Sequence, residues 1–465
     1  MFPSLNNICN TLCRWSFIFF LLTLPLQTGL IIYETPWGQN FLNPYTSIHF
    51  TIQEFFLYSA GIFFLCSHLK KQWKIGSEKM AQCGFFLISA LLLSLILSPH
   101  ADLTLKALLA AKCTGFFLLY ILINNEVLKK NTIIKIFIGI MTGEALLALF
   151  QFCTQSSLGI PVLGEPIFSG NTPQLAKIAW ENFIWIRPYG TFAHPNVLGG
   201  FLVISTLVTI FYKNKPSHHY VKILFLSIQL FGLFTSFSRS AILAFGISML
   251  ILLFLHKKPR KKITIVGSLI SAALVSFIFL SRGIPPWKDP SLLSRLTGYQ
   301  ESLILFWSEP MGVGWKHYTL FLDQIAGRAL NFWEYQPVHN AYLLILAETG
   351  FLGFVMSMAA IFIVFKKLYR LKSIYFLIPL SIFIISFFDH YWLSSQQAFW
   401  LLIILWGVFA NFLSNPSKIP ALEVLFSPPT APLKVPLLES EYPQKDAPPS
   451  LLRLHREIHI PKDSN

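Results

Sequence analysis

Pro337 to Gly353 reads PVHNAYLLILAETGFLG. His339 and Asn340 open it, an apolar run follows, and Gly350 and Gly353 close it. A side chain that titrates near neutrality therefore stands where a polar loop becomes an apolar helix. A helix of this kind starts at an aqueous interface and enters a medium without water. Everything upstream is then expected to be a scaffold that presents His339 at that interface.

The rest of the chain agrees with such a medium. Of 465 residues, 54% are hydrophobic, 15% aromatic and only 12% charged, where a soluble domain carries about 25% charged. Apolar runs of about 20 residues, the length that spans the hydrocarbon core, recur from end to end. The expected fold is all-α, a polytopic transmembrane helical bundle. About twelve spans are expected, near 14–32, 48–68, 80–98, 103–123, 133–152, 196–213, 221–238, 240–256, 263–281, 341–365, 374–391 and 397–413. Residues 1–414 make up the membrane domain. Residues 415–465, with ten prolines from Pro416 to Pro461, have too little apolar surface to offset their ordering entropy and are expected to be a disordered cytoplasmic tail. Arg14 precedes an apolar run without a small-residue cleavage site, so an uncleaved first span is expected.

The net charge of +15 does not point to nucleic acid, because alternate loops hold it. Those at Lys70–Lys79, Lys129–Lys135, Lys213–Lys222, Lys257–Lys262 and Lys366–Lys372 carry nineteen Lys and Arg residues. By the positive-inside rule they face the cytoplasm, with both termini. The opposite face holds two long segments, about 153–195 and 282–340, rich in Trp, Tyr, Pro and Gly. They have no obvious secondary structure, and their aromatic content points to ordered or interfacial segments. The six cysteines are scattered, which predicts neither a disulfide framework nor a metal site.

Four stretches carry candidate chemistry, all on that outer face: IRPYGTFAHPN (Ile186–Asn196), TSFSRSA (Thr235–Ala241), SRLTGYQESLILFWSEPMGVGW (Ser294–Trp315) and the opening stretch. Arg187, Arg282, Arg295 and Arg328 have a plain alternative, holding loops or touching lipid headgroups. Arg239 lies between two apolar spans with only serines for polar company, where a charge is costly unless paired or hydrated. A histidine can take a proton from a hydroxyl, and guanidinium groups fork onto phosphate oxygens. Together they describe transfer from a phosphate-bearing donor to a hydroxyl. Gly312 and Gly314 suit either a plain turn or a loop whose backbone approaches a ligand.

HN-x9-G-x-x-G from His339 to Gly353 resembles the histidine signature of the O-antigen ligase family of bacterial membrane glycosyltransferases. The other three stretches are similar, in the same order, to that family's segments, so the resemblance covers about 185–355. It implies an undecaprenyl-pyrophosphate-linked glycan as donor and a hydroxyl of lipid A core, or another hydroxyl, as acceptor. It further implies no metal or cofactor, a bacterial inner-membrane location among membrane lipids, and a periplasmic active site. His339 would be the general base, with Arg239 and Arg295 on the pyrophosphate. Arg187, His194, Asn196, Asn340, Gly312 and Gly314 would contact substrate. Repeat-unit polymerases and protein O-oligosaccharyltransferases would share this donor chemistry. A transporter of lipid-linked sugar is the rival from another class, although no internal repeat is visible and the suspect residues gather at one face.

Lys112 and Glu144 fall inside neighbouring spans at nearly the same depth, so they are expected to pair.

Overall fold

The computed structural model describes residues 5–34, 43–68, 72–99, 102–169, 172, 175–180, 183–212, 216–255, 290–331, 334–370 and 374–414. The expected span at 263–281, Arg282 and the tail at 415–465 lie outside them.

Helices dominate because the apolar runs can satisfy their backbone groups in lipid only internally. In chain order they are α1 (Leu5–Leu22), α2 (Ile52–His68), α3 (Glu78–Leu97), α4 (Leu103–Asn124), α5 (Lys130–Thr154), α6 (Pro195–Phe211) and α7 (His219–Thr235). Then come α8 (Arg239–Leu255), α9 (Pro290–Ser308), α10 (Leu322–Ala326), α11 (Ala341–Arg370), α12 (Leu377–Ser386), α13 (Tyr391–Ser394) and α14 (Gln396–Ser414). Among the described residues, α3, α4, α5, α11 and α14 are long and apolar enough to cross a membrane. Shorter apolar helices are α6, α7, α8 and the stretch around α12. Neighbours pack as α1 with α2, α3 with α11, α4 with α14, α5 with α6 and α7, and α8 with α12. The core between them is aromatic: Phe116 stacks on Phe399 at 4.2 Å and meets Trp400 edge-on at 4.7 Å.

Several expected boundaries move. The first helix ends at Leu22 rather than near residue 32. Pro25 follows, and Gly29–Tyr33 forms β1, paired antiparallel with β2 (Ile48–Thr51) in the register Gly29↔Thr51. The expected span 374–391 breaks into α12 and α13, with Asp389 and His390 in the gap. The long outer segments are not structureless. The first holds the hairpin β3 (Lys177–Trp180) and β4 (Phe183–Ile186), and the second holds the 19-residue α9.

The long helix α11 is broken at Gly350, whose φ of 67° and ψ of −175° suit only glycine. The Pro310–Gly314 loop fills the break. Val313 N–H donates to Ala347 O at 3.0 Å, Gly314 N–H to Glu348 O at 2.9 Å, and Phe351 N–H to Pro310 O at 3.1 Å. The helix carbonyls that lose their own partners are thereby satisfied. A Cβ on Gly312 would lie 2.4 Å from Gly350 N, and one on Gly350 would lie 2.4 Å from Met311 C. Each glycine lets the other backbone approach.

The expected Lys112–Glu144 pair does not form. Lys112 Nζ lies 2.7 Å from Glu54 Oε1 of α2, donates to Gln396 Oε1 at 3.3 Å, and also donates to His49 O. The Glu144 carboxylate instead accepts from Thr191 N–H at 2.9 Å and Thr191 Oγ1 at 2.8 Å. Equal depth does not fix which way a side chain faces. Here α4 faces α2 and α14, while α5 faces α6 and α7.

Candidate active site

Asn340 shapes the start of α11. Its Oδ1 accepts from the N–H groups of Tyr342 and Leu343 at 3.0 and 3.1 Å, capping the helix, and its Nδ2 reaches Phe387 O at 3.3 Å. That link ties the start of α11 to the end of α12. His339 precedes the cap with its side chain 28% exposed, and its Nδ1 is 3.6 Å from Asp389 Oδ1. This is an ion-pair separation, longer than a hydrogen bond. The His339 and His390 ring centroids are 5.2 Å apart.

Behind His339 runs a polar chain. Asp389 is buried, and its Oδ2 accepts from Asn196 Nδ2 at 2.7 Å. Asn196 Oδ1 accepts from the Arg187 guanidinium at 2.6 Å, and Arg187 Nε donates to Ser236 O at 2.9 Å. His194 caps α6, its Nδ1 accepting from Asn196 N–H at 3.1 Å. His390 shares a 2.7 Å hydrogen bond with Ser394 Oγ through its Nδ1.

Burial sets the charge states. It is the main reason that His390 and His194 are each pushed down to about 3, so both imidazoles are neutral at physiological pH. The His339 charge adds to the effect at His390, and the Arg187 charge at His194. Burial alone would raise the Asp389 carboxyl. The contact with His339 is the largest opposing influence, and the carboxyl is held well below the usual carboxylate range.

Arg295, half-buried on α9, lies close enough to His390 to lower its proton affinity. Tyr299 of the same helix donates to Phe387 O at 3.1 Å. The structure thus gathers Arg187, His194, Asn196, Arg295, His339 and Asn340 around Asp389 and His390. Arg239, also half-buried, is the first residue of α8. The turn before it holds Arg187 through Ser236 and packs on α6, where a Cβ on Gly199 would lie 2.6 Å from Ser238 Cβ. Gly312 and Gly314 stand apart: Gly312 faces the α11 break, and a Cβ on Gly314 would meet Ser98 Cβ at 2.9 Å. Arg328 takes the plain alternative and pairs with Glu334 at 2.5 Å.

Asp389 and His390 were missing from the sequence reading. Their signal is an acid beside a histidine, FFDHYW, inside an expected span, the same kind of anomaly that singled out Lys112. Among the described residues, His339, Asp389 and His390 also form a group able to hold a metal ion, with ligand atoms within 4.8 Å of one another. Asn196 and Ser394 already engage one donor atom each on Asp389 and His390.

Comparison with known families matches residues 223–358 to the family described as O-antigen ligase. The matched segment contains Arg239, Arg295, Gly312, Gly314, His339 and Asn340, and leaves Arg187, His194, Asn196 and Asp389 outside. No curated protein matches the chain.

Proposed function

With residues 223–358 supporting the O-antigen ligase family, we propose that this glycosyl-transferring membrane protein moves a glycan from undecaprenyl pyrophosphate to a hydroxyl of lipid A core. The reaction would run on the periplasmic face of the inner membrane. The observation that carries this reading is the line Arg187–Asn196–Asp389–His339, which ends on a half-exposed imidazole beside a buried carboxylate.

In this mechanism His339 accepts the proton of the acceptor hydroxyl as its oxygen forms a bond to the anomeric carbon of the glycan. The bond from that carbon to the pyrophosphate oxygen breaks, and the electron pair leaves with the carrier lipid. Asp389 stabilises the imidazolium that forms at His339. Arg239 and Arg295 stay charged throughout and offset the charge developing on the leaving pyrophosphate. The N-termini of α6, α8 and α11 add partial positive charge at this end of the bundle. Repeat-unit polymerisation and protein O-glycosylation use the same donor half-reaction and differ in the acceptor. The gathering of these residues at helix ends, rather than at mid-bundle, favours transfer over transport.

Purified protein incubated with lipid-linked glycan and separate acceptors tests the reading. Glycan should appear on lipid A core. Appearance only on a second repeat unit or on protein would move the function to those alternatives, and no transfer to any of them would overturn it. A chelator belongs in the same assay: loss of transfer that divalent cations restore would turn the His339 group into a metal site.

A further inference from the structure

A polar cleft lies at the end of the bundle opposite His339. The helix α1 joins the two ends: beyond its last turn Gln27 donates to Thr191 O, in the loop before α6, at 2.7 Å, while its first turns line the cleft. Along α1, Cys9, Cys13 and Phe17 are buried against the bundle, and Ile8, Leu12 and Trp15 are exposed. Asn7, Asn10, Thr11 and Arg14 form a third face, at the i, i+3, i+4 and i+7 spacing of one helical stripe. This stripe lines a cleft of about 410 Å³, where a single water needs only about 10–15 Å³. The opposite wall is His68 at the end of α2 and Asn125–Val127 in the α4–α5 turn. The basic loops at Lys70–Lys79 and Lys129–Lys135 adjoin that wall, and the positive-inside rule assigns them to the cytoplasmic side.

The cleft holds an arginine and a glutamate that do not pair. Neither Arg14 nor Glu126 makes a side-chain hydrogen bond or ion pair with a described residue, and neither do the Asn7 and Asn10 carboxamides. The other polar groups are engaged. Asn125 accepts from Lys74 N–H at 2.9 Å and donates to Lys74 O at 3.0 Å, Thr11 Oγ1 donates to Asn7 O at 2.9 Å, and His68 Nδ1 is 2.8 Å from Ser67 Oγ. Glu126 also stands against local preference. Its N–H donates to Ile123 O at 3.1 Å and the Val127 N–H to Leu122 O at 3.3 Å, the Schellman pattern that ends a helix on a left-handed residue. Glu126 is that residue, with φ 54°. Glycine is the usual occupant, and an acid there meets the negative end of the α4 dipole. A glutamate kept where two local preferences oppose it points to a use for its carboxylate.

We propose that this cleft binds the headgroup of a phospholipid that carries a primary ammonium, with the phosphate on Arg14 and the ammonium donating to the Glu126 carboxylate. Such a zwitterion brings each unpaired charge its opposite in one molecule. The Asn7 and Asn10 carboxamides donate to the remaining phosphate oxygens. A lipid fits better than a soluble ester because Ile8, Leu12 and Trp15 are exposed beside the polar stripe. Acyl chains continue along that apolar face while the headgroup turns into the cleft. The site is separate from the transfer chemistry and does not rest on that reading.

The test titrates full-length protein in detergent with phosphatidylethanolamine, phosphatidylcholine and phosphatidylglycerol of identical chains, and counts bound lipid by native mass spectrometry. Phosphatidylethanolamine should bind about 10- to 100-fold tighter than the other two, the range for a hydrogen bond to a charged group. Glu126→Gly relaxes the positive φ and the clash with the dipole, so its thermal midpoint should not fall, yet the preference over phosphatidylcholine should vanish. Arg14→Gln should weaken phosphatidylethanolamine by about tenfold or more. The proposal is overturned if the native protein binds either other lipid as tightly, if folded Glu126→Gly keeps the preference, or if Arg14→Gln binds undiminished. It is overturned too if glycerophosphoethanolamine binds as tightly as the lipid, which would make the cleft a site for a soluble ester. If Glu126→Gly does not fold, Glu126→Gln is read by the same criterion.

Discussion

At the scale of single residues, exposure separates three histidines that lie within one electrostatic neighbourhood. His194 and His390 are buried and neutral, whereas His339 keeps 28% of its side chain open beside the Asp389 carboxylate. Removing the base should be severe for rate and mild for folding. His339→Ala is expected to lose about 10²–10⁴ in kcat at an unchanged thermal midpoint; near-normal transfer would exclude His339 as base. Arg239→Lys keeps the charge but loses the planar fork, so at least about a tenfold loss is expected. Full activity would reduce Arg239 to a general positive charge. The buried imidazoles carry a pH signature of their own. Their folded pKa lies below the unfolded value of about 6.5, so the unfolded chain binds more protons as pH falls through that value. Stability is therefore complete above about pH 6.5 and declines toward pH 3, by up to about 1.4 kcal/mol per pH unit for each histidine. His390→Gln should flatten the fall of the thermal midpoint between pH 6.5 and 4. An unchanged slope would mean that His390 is not buried neutral.

At the scale of elements, the two glycines of the histidine stretch do different work. Gly350 sits in a backbone region closed to other residues, with Met311 C and O at 2.4 and 2.5 Å from a notional Cβ. Gly353 has no positive φ, and its notional Cβ lies 2.4 Å from Thr349 Oγ1 and 2.5 Å from Thr349 Cβ. Gly350→Ala combines backbone strain with overpacking, about 2–6 kcal/mol together, and should sharply reduce monodisperse protein on size exclusion. Gly353→Ala should be the milder change, because no left-handed backbone strain adds to its contact with Thr349. Equal yields would show that the α11 break is not fixed by its glycine. This break also marks how far the sequence could be read. Apolar length located α3, α4, α5, α11 and α14, since spanning helices are built from little else. It could not reveal that Gly312, which suits either a plain turn or a loop approaching a ligand, approaches Gly350, because that contact joins residues 38 apart in sequence. The α12–α13 gap was hidden for a related reason. Its flanks are as apolar as a continuous span, and only Asp389 and His390 interrupt them.

At the scale of the molecule, helix order along the chain does not dictate which faces meet. The Asn196–Asp389 bond joins residues 193 apart, and Lys112 reaches Gln396 across 284. Hydropathy supplies a depth for each ionisable residue; azimuth comes from packing. For that reason the site residues before residue 223 and after 358 were the hardest to connect from sequence, even though Arg187 and Asn196 had been singled out. The buried Lys112–Glu54 pair tests this architecture, since it fastens α2 to α4 while Lys112 also reaches α14 and β2. Glu54 is 1% exposed, so removing only the lysine strands a charge where water cannot reach it. Lys112→Met should therefore cost about 3–5 kcal/mol, seen as loss of folded protein. Lys112→Met with Glu54→Gln removes both charges and keeps a group that can accept from Thr51 N–H, which Glu54 Oε2 now does at 2.9 Å. The double variant should regain part of the folded fraction, whereas Lys112→Met with Glu144→Gln should regain none. Recovery in the second pair and not the first would mean that α4 faces α5, and the helix packing around the site would have to be redrawn.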